Sequence, residues 1–193
     1  MSFAAHVQHA PDSDDATPGA PILSGRDAPT AHTGRVSNQA RLHVVFVCSG
    51  NICRSPIAEK VLVRELTAAG LADGVQVSSA GTGGWHVGSP ADERAAAVLR
   101  AAGYPDLHEA RQVDAEDLAA DLIVALARSH LRMLRSMVPE PDRVRLLRSF
   151  DPAAPPDAEV PDPYYGGASG FTDVLTLVEA AMPGLLDWVR DRR

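Results

Sequence analysis

Cysteine occurs only twice, lysine only once, and aromatic residues make up 5% of the chain. Two cysteines, Cys48 and Cys53, cannot build a disulfide framework, and so sparse a thiol content fits a reducing cytoplasm, with an unconventional export route left open. No run of about twenty apolar residues occurs, which excludes a membrane-spanning helix. No basic start precedes an apolar stretch at the N-terminus, and Asp12, Asp14 and Asp15 interrupt the region, so a secretory leader is not expected. Basic charge is not in excess: 18 Lys and Arg against 25 Asp and Glu leave −7. That balance argues against general nucleic-acid binding, which needs a basic face to displace counterions from phosphates. The seven histidines, His6, His9, His32, His43, His86, His108 and His130, are too scattered to suggest a metal site.

What remains is a chain of 193 residues, 45% hydrophobic and 22% charged, the composition of an ordinary globular protein. Residues 1–40 are rich in Ala, Pro, Asp, Ser, Thr and His without apolar periodicity, and are expected to form a disordered N-terminal tail. Residues 41–193 are expected to form one domain. Val44–Val47, Val75–Ser79, Leu122–Leu126 and Val144–Leu147 are short apolar runs suited to buried parallel strands. Helical stripes lie between them. Ser55-Pro56 offers an N-cap and a proline at the first helical position of a helix that Gly70 ends. Ser89-Pro90-Ala91-Asp92 opens a second helix, through Ala102, and His130–Met137 reads as a third. A Pro- and Asp-rich loop, Asp151–Gly167, precedes a C-terminal helix carrying Phe171 to Val189, in which Pro183 is expected to introduce a kink. The fold class is therefore α/β, a small doubly wound domain whose ligands sit beyond the carboxyl ends of the strands.

That rule points to Cys48-Ser49-Gly50-Asn51-Ile52-Cys53-Arg54-Ser55-Pro56, immediately after the first strand. A cysteine and an arginine six positions apart, joining a strand to a helix N-terminus, can face one anion together. A turn containing Gly50 and Asn51 can take left-handed backbone angles and curl the amides of Ser49 to Ser55 inward as a cradle. The helix N-terminus and the Arg54 fork add matching positive charge for a tetrahedral dianion. The same field favours the thiolate of Cys48, a nucleophile aimed at phosphorus. Ser55 is placed to hydrogen-bond that sulfur, and Asn51 to hold the turn.

The loop resembles that of the low-molecular-weight protein tyrosine phosphatases, closest to bacterial members of actinobacterial type. The resemblance covers about Leu42 to Arg190 and includes Ser78-Ser79-Ala80-Gly81-Thr82, Trp85-His86-Val87-Gly88, and Asp162-Pro163-Tyr164-Tyr165. It implies a four-stranded parallel sheet flanked by helices on both faces, and hydrolysis of phosphotyrosine through a phosphocysteine without metal or other cofactor. It makes Asp162 the general acid for a phenol leaving group with a pKa of about 10. It places Tyr164 and Tyr165 as one wall of the substrate pocket and Trp85 and His86 as the opposite rim. Phosphotyrosine proteins are then the substrates and a tyrosine kinase the opposing enzyme, with the chain acting as a monomer.

One departure stands out: Ala127 occupies a position after the third strand where the family usually has aspartate. An arsenate reductase on the same fold is a rival, although no cysteine follows Cys53. A protein arginine phosphatase carries threonine where this chain has Ile52, and an apolar residue there favours an aryl group. A phosphotyrosine reader without turnover would need neither nucleophile nor acid. Redox sensing is compatible with catalysis, with Cys53 as the partner that traps oxidised Cys48 as a disulfide.

Overall fold

The structure, a computed structural model, describes residues 42–193; the expected disordered tail lies outside the described residues. Strand β1 (Leu42–Cys48) is followed by α1 (Arg54–Ala68), β2 (Val75–Gly81), α2 (Glu93–Ala101), α3 (Ala115–Leu118), β3 (Leu122–Ala125), α4 (Arg128–Arg135), β4 (Val144–Leu146) and α5 (Ala168–Arg190). The four strands are parallel in the order β2-β1-β3-β4. This is the expected α/β sheet, and its register decides where function can sit. Cys48 pairs with Gly81, Val47 with Ala125, and Ala125 with Leu146, so the carboxyl ends finish along one edge.

Alternation along β1 divides the core. Val44, Phe46 and Cys48 join one cluster with Ile57, Val61, Leu62 and Leu66 of α1 and Phe171, Val174, Val178 and Leu185 of α5. Val45 and Val47 point to the other face, with Leu134 of α4, Ile123, Val144 and Leu146. Both faces are covered, which is why the strands read as unbroken apolar runs rather than alternating ones. Each fully buried Leu, Ile, Val or Phe contributes about 1.5–3 kcal/mol.

Local differences from the sequence reading have physical causes. Helix α1 starts at Arg54 with Cys53 as its N-cap and no side-chain cap. Ser55 lies inside the first turn, because its hydroxyl is drawn to the sulfur of Cys48 at 3.0 Å. Helix α2 begins at Glu93 because the Asp92 carboxylate accepts from Arg94 N at 2.9 Å. Helix α3, too short for a periodic signal, is fixed by a reciprocal capping box between Asp114 and Asp117. Helix α4 runs from Arg128 to Arg135, starting and ending two residues earlier than its pattern suggested. Leu147 leaves β4 for a 3-10 turn, Leu147–Phe150. Helix α5 continues through Pro183 as one element.

Candidate active site

The Cys48–Arg54 loop turns sharply at Asn51, whose φ of 56° lies in the left-handed region. Asparagine tolerates that region poorly compared with glycine, so the turn needs external support. Asn51 receives it while fully buried: its Nδ2 donates to Ser55 Oγ and Ser79 Oγ, each at 2.9 Å, and its Oδ1 accepts from Arg111 N at 2.9 Å. Gly50, expected to share the left-handed turn, does not take a positive φ. Its lack of a side chain serves packing instead, since a Cβ there would stand 2.7 Å from Cδ2 of His86. Gly81 at the end of β2 lets the loop lie against the sheet, a Cβ there standing 2.9 Å from Ser49 O. Thr82 N and Gly83 N then donate to Cys48 O and Ser49 O at 2.8 and 2.9 Å.

Behind the loop runs a line of hydrogen bonds. Glu59 Oε2 accepts from Ser79 Oγ at 2.5 Å, Ser79 Oγ accepts from Asn51, and Asn51 also donates to Ser55, which meets the sulfur of Cys48. Lys60 Nζ pairs with Glu59 at 2.6 Å, and His108 Nε2 donates to Asn51 O at 2.6 Å. Asn51 and Ser55 thus brace the loop from below and do not line the cavity above it. Glu59, Ser79, His108 and Arg111 were not singled out as site residues from the sequence. Ser79 and Glu59 stand 28 and 8 positions from Asn51, and nothing in their spacing announces a contact.

Above the loop is a cavity of about 310 Å³ lined by Cys48, Ser49, Gly50, Ile52, Cys53, Arg54, Trp85, His86, Asp162, Tyr164 and Tyr165. Cys48 is buried. Arg54 is buried too, and its Nη2 donates to Asp162 Oδ2 at 2.6 Å and to Ser49 Oγ at 3.3 Å, its Nη1 to Val160 O at 3.4 Å. Arg54 Nε is buried without a partner among the described residues. The segment bearing Asp162 is held at the sheet edge because Leu126 N donates to Val47 O and Val160 N to Leu126 O, at 3.1 and 2.9 Å. Asp162 itself is partly open to solvent, its side chain 43% exposed.

Tyr164 and Tyr165 stand edge to face, ring centres 5.0 Å apart, and His86 faces Tyr164 at 6.3 Å. Trp85 and Tyr165 are 77% and 93% exposed, so these rings form the cavity's mouth rather than cover the sheet edge. Arg94, unnoticed in the sequence, fixes one side of that mouth: it is clasped by Asp92 and donates to Tyr164 O and Gly166 O at 3.0 and 2.8 Å. Ala127, the departure noted above, is the N-cap of α4 and supplies no side-chain cap. Burial, with Asp92 and Cys48 nearby, pushes the Cys53 thiol up to about 12. The arrangement sets a buried sulfur and a buried guanidinium on the lining of one cavity with aromatic rings at its mouth. It is built to receive a tetrahedral oxyanion.

Comparison with known proteins agrees. A sequence model of the family described as low molecular weight phosphotyrosine protein phosphatase matches residues 43–193. Low molecular weight protein-tyrosine phosphatase A of Mycobacterium tuberculosis is 60% identical over 152 residues, 78% of this chain and 93% of its own. A low molecular weight protein-tyrosine-phosphatase of Streptomyces coelicolor is 53% identical over 154 residues, 77% of this chain and 94% of its own. The crystal structure of a protein tyrosine phosphatase from Entamoeba histolytica, with Hepes in the active site, superposes with a TM-score of 0.74 at 33% identity. It covers 78% of this chain and 97% of that one.

Proposed function

The chain belongs to the low molecular weight phosphotyrosine protein phosphatase family, and from that premise we propose the course of its reaction. It is a protein tyrosine phosphatase, a metal-independent hydrolase that works through a phosphocysteine; an arsenate reductase is not favoured. Cys48 attacks phosphorus as the S–P bond forms and the P–O bond to the tyrosyl ring breaks. Asp162 gives its proton to the departing phenol oxygen. The carboxylate so formed then takes a proton from water, which attacks phosphorus, breaks the S–P bond and returns the Cys48 thiolate with inorganic phosphate. Arg54 and the amides of the Ser49–Ser55 loop hold the phosphoryl oxygens throughout.

The observation that carries this reading is that Cys48, Arg54 and Asp162 line one cavity, with Arg54 bonded to Asp162 at 2.6 Å. An incoming phosphoryl dianion competes with the carboxylate for the guanidinium, which releases Asp162 to act on the leaving group. Tyr164, Tyr165, Trp85 and His86 receive the aryl ring and its flanking residues.

No helix among the described residues is long and apolar enough to cross a membrane. We assign residues 41–193 as the catalytic domain, acting as a monomer in a reducing cytoplasm against a tyrosine kinase. Two unbridged cysteines support the reducing compartment. The test is a side-by-side assay on phosphotyrosine, phosphoarginine and phosphoserine peptides, with arsenate reduction in parallel and acid quenching to trap labelled phosphoenzyme. Phosphotyrosine turnover with label on Cys48 is expected; equal rates on phosphoserine, or no trapped label, would overturn the reading.

A further inference from the structure

We propose that His130 is a positioning residue that holds Ser49 so that its hydroxyl hydrogen is free for a phosphoryl oxygen bound beside Arg54. The inference rests on the reaction course above and extends it to two side chains outside the nucleophile, acid and arginine set.

His130 lies in the first turn of α4, 5% exposed, with Nε2 3.0 Å from Ser49 Oγ. Its Nδ1 is buried without a partner among the described residues. Ser49 Oγ also accepts from Arg54 Nη2 at 3.3 Å, and a guanidinium can only donate. One lone pair of the hydroxyl is therefore committed to Arg54. Burial and the nearby Arg54 charge push His130 down to about 4, so the ring is neutral at cellular pH and carries a single hydrogen.

The two neutral forms are unequal. With the hydrogen on Nδ1, a buried N–H has no acceptor and suffers the full desolvation penalty. With the hydrogen on Nε2, that N–H donates to Ser49 and only a lone pair stays bare, which is tolerated better. The second form prevails. Ser49 Oγ then accepts from both His130 and Arg54, and its own hydrogen has no use in either direction. Ser49 lines the cavity together with Cys48 and Arg54, so that hydrogen is available to an oxyanion held there. Neutrality of His130 also keeps a second positive charge from competing with Arg54 for Asp162.

The experiment measures competitive inhibition by inorganic phosphate of aryl phosphate turnover in the full chain and in Ser49→Ala, His130→Leu, the double variant and His130→Gln. Ser49→Ala and His130→Leu are each expected to weaken phosphate roughly tenfold, the scale of one hydrogen bond to a charged group. The double variant should be no worse than Ser49→Ala alone, because both remove one device. His130→Gln, whose amide Nε2 reaches the same point, should restore affinity to within about threefold. Nitrogen-15 spectra of the unmodified protein should show His130 protonated on Nε2 and bare on Nδ1. An active parent whose phosphate affinity is unmoved by Ser49→Ala would overturn the inference alone, as would multiplied losses in the double variant or a hydrogen on Nδ1. A parent that neither turns over aryl phosphate nor binds phosphate would overturn the reaction course as well.

Discussion

Asp162 and Arg54, 108 positions apart in the chain, meet at 2.6 Å with the arginine buried and the carboxylate partly open. In the proposed reaction the pair links the anion site to the proton donor. Whatever occupies the guanidinium decides how free the carboxylate is, so that reaction course couples phosphoryl binding to acid catalysis through one contact.

Asp162→Ala should slow aryl phosphates with poor leaving groups by about 10²–10⁴-fold and activated esters far less, the signature of a lost general acid. Phosphate affinity should not weaken, since the variant removes a competitor for Arg54. Leaving-group series in the two proteins check this, and equal losses across the series would remove Asp162 from the role.

Cys48→Ser should abolish turnover and the trapped phosphoenzyme while leaving phosphate binding largely intact, because Arg54 and the loop amides remain. Isothermal titration with phosphate reads the binding; a variant that still accumulates phosphoenzyme would contradict nucleophilic attack by Cys48.

Asn51→Ala removes three hydrogen bonds from a fully buried side chain and leaves a residue with no polar group in a left-handed turn. A loss of roughly 2–4 kcal/mol is expected. Activity should fall with it, because Ser55 loses the donor that orients its hydroxyl toward Cys48. Urea unfolding midpoints and kcat/KM measure both effects, and a change in the midpoint too small to resolve would show that the turn stands without Asn51.

Mild peroxide should convert Cys48 to sulfenic acid; the sulfur of Cys53 then attacks the Cys48 sulfur, and the hydroxyl leaves with the Cys53 proton as water, giving a disulfide. Burial holds the Cys53 thiol up at about 12, so it stays protonated until that step and alkylating reagents at neutral pH should spare it. Peptide mapping by mass spectrometry distinguishes a Cys48–Cys53 link from sulfonic acid on Cys48, and the latter would end the redox proposal.

His130 has its folded value near 4, below its ordinary 6.5, so the unfolded chain takes up the proton first. Stability is therefore lost as pH falls from about 6.5 toward 4 and levels off below, by on the order of 3 kcal/mol. His43 and His108, also lowered by burial, add to the slope in the same direction. Asp92, Asp114 and Glu159, held below the usual carboxylate range by hydrogen bonds and arginine partners, lose their share at lower pH. Urea midpoints at pH 7 and 4.5 should differ less in His130→Gln than in the parent; an equal difference would show that the ring is not buried neutral.

The contiguous parts of the site were legible because chain order and space coincide there. Cys48 through Arg54 is one turn between a strand and a helix, and apolar runs alternating with helical stripes require a covered parallel sheet. Ser55 was legible as a residue near Cys48 but does not cap the helix: α1 begins one residue earlier, at Arg54, which puts Ser55 inside the first turn with its hydroxyl meeting Cys48 Sγ and Asn51 Nδ2. Of the two turn residues, Asn51 alone takes the left-handed position, held there by its side-chain hydrogen bonds.

The order of residues along the chain was sufficient for the fold class and for the pairing of a nucleophile with a guanidinium six positions on. Spacing alone could not decide which distant side chains would complete them, and Asp162 was reached only through the family resemblance. Glu59 and Ser79 behind the loop, His130 beside Ser49 and Asp162 on Arg54 come together because parallel register brings the carboxyl ends of three strands to one edge. Hydrogen bonds act over about 3 Å, and a sequence separation of 81 or 108 residues carries no information about a distance that short.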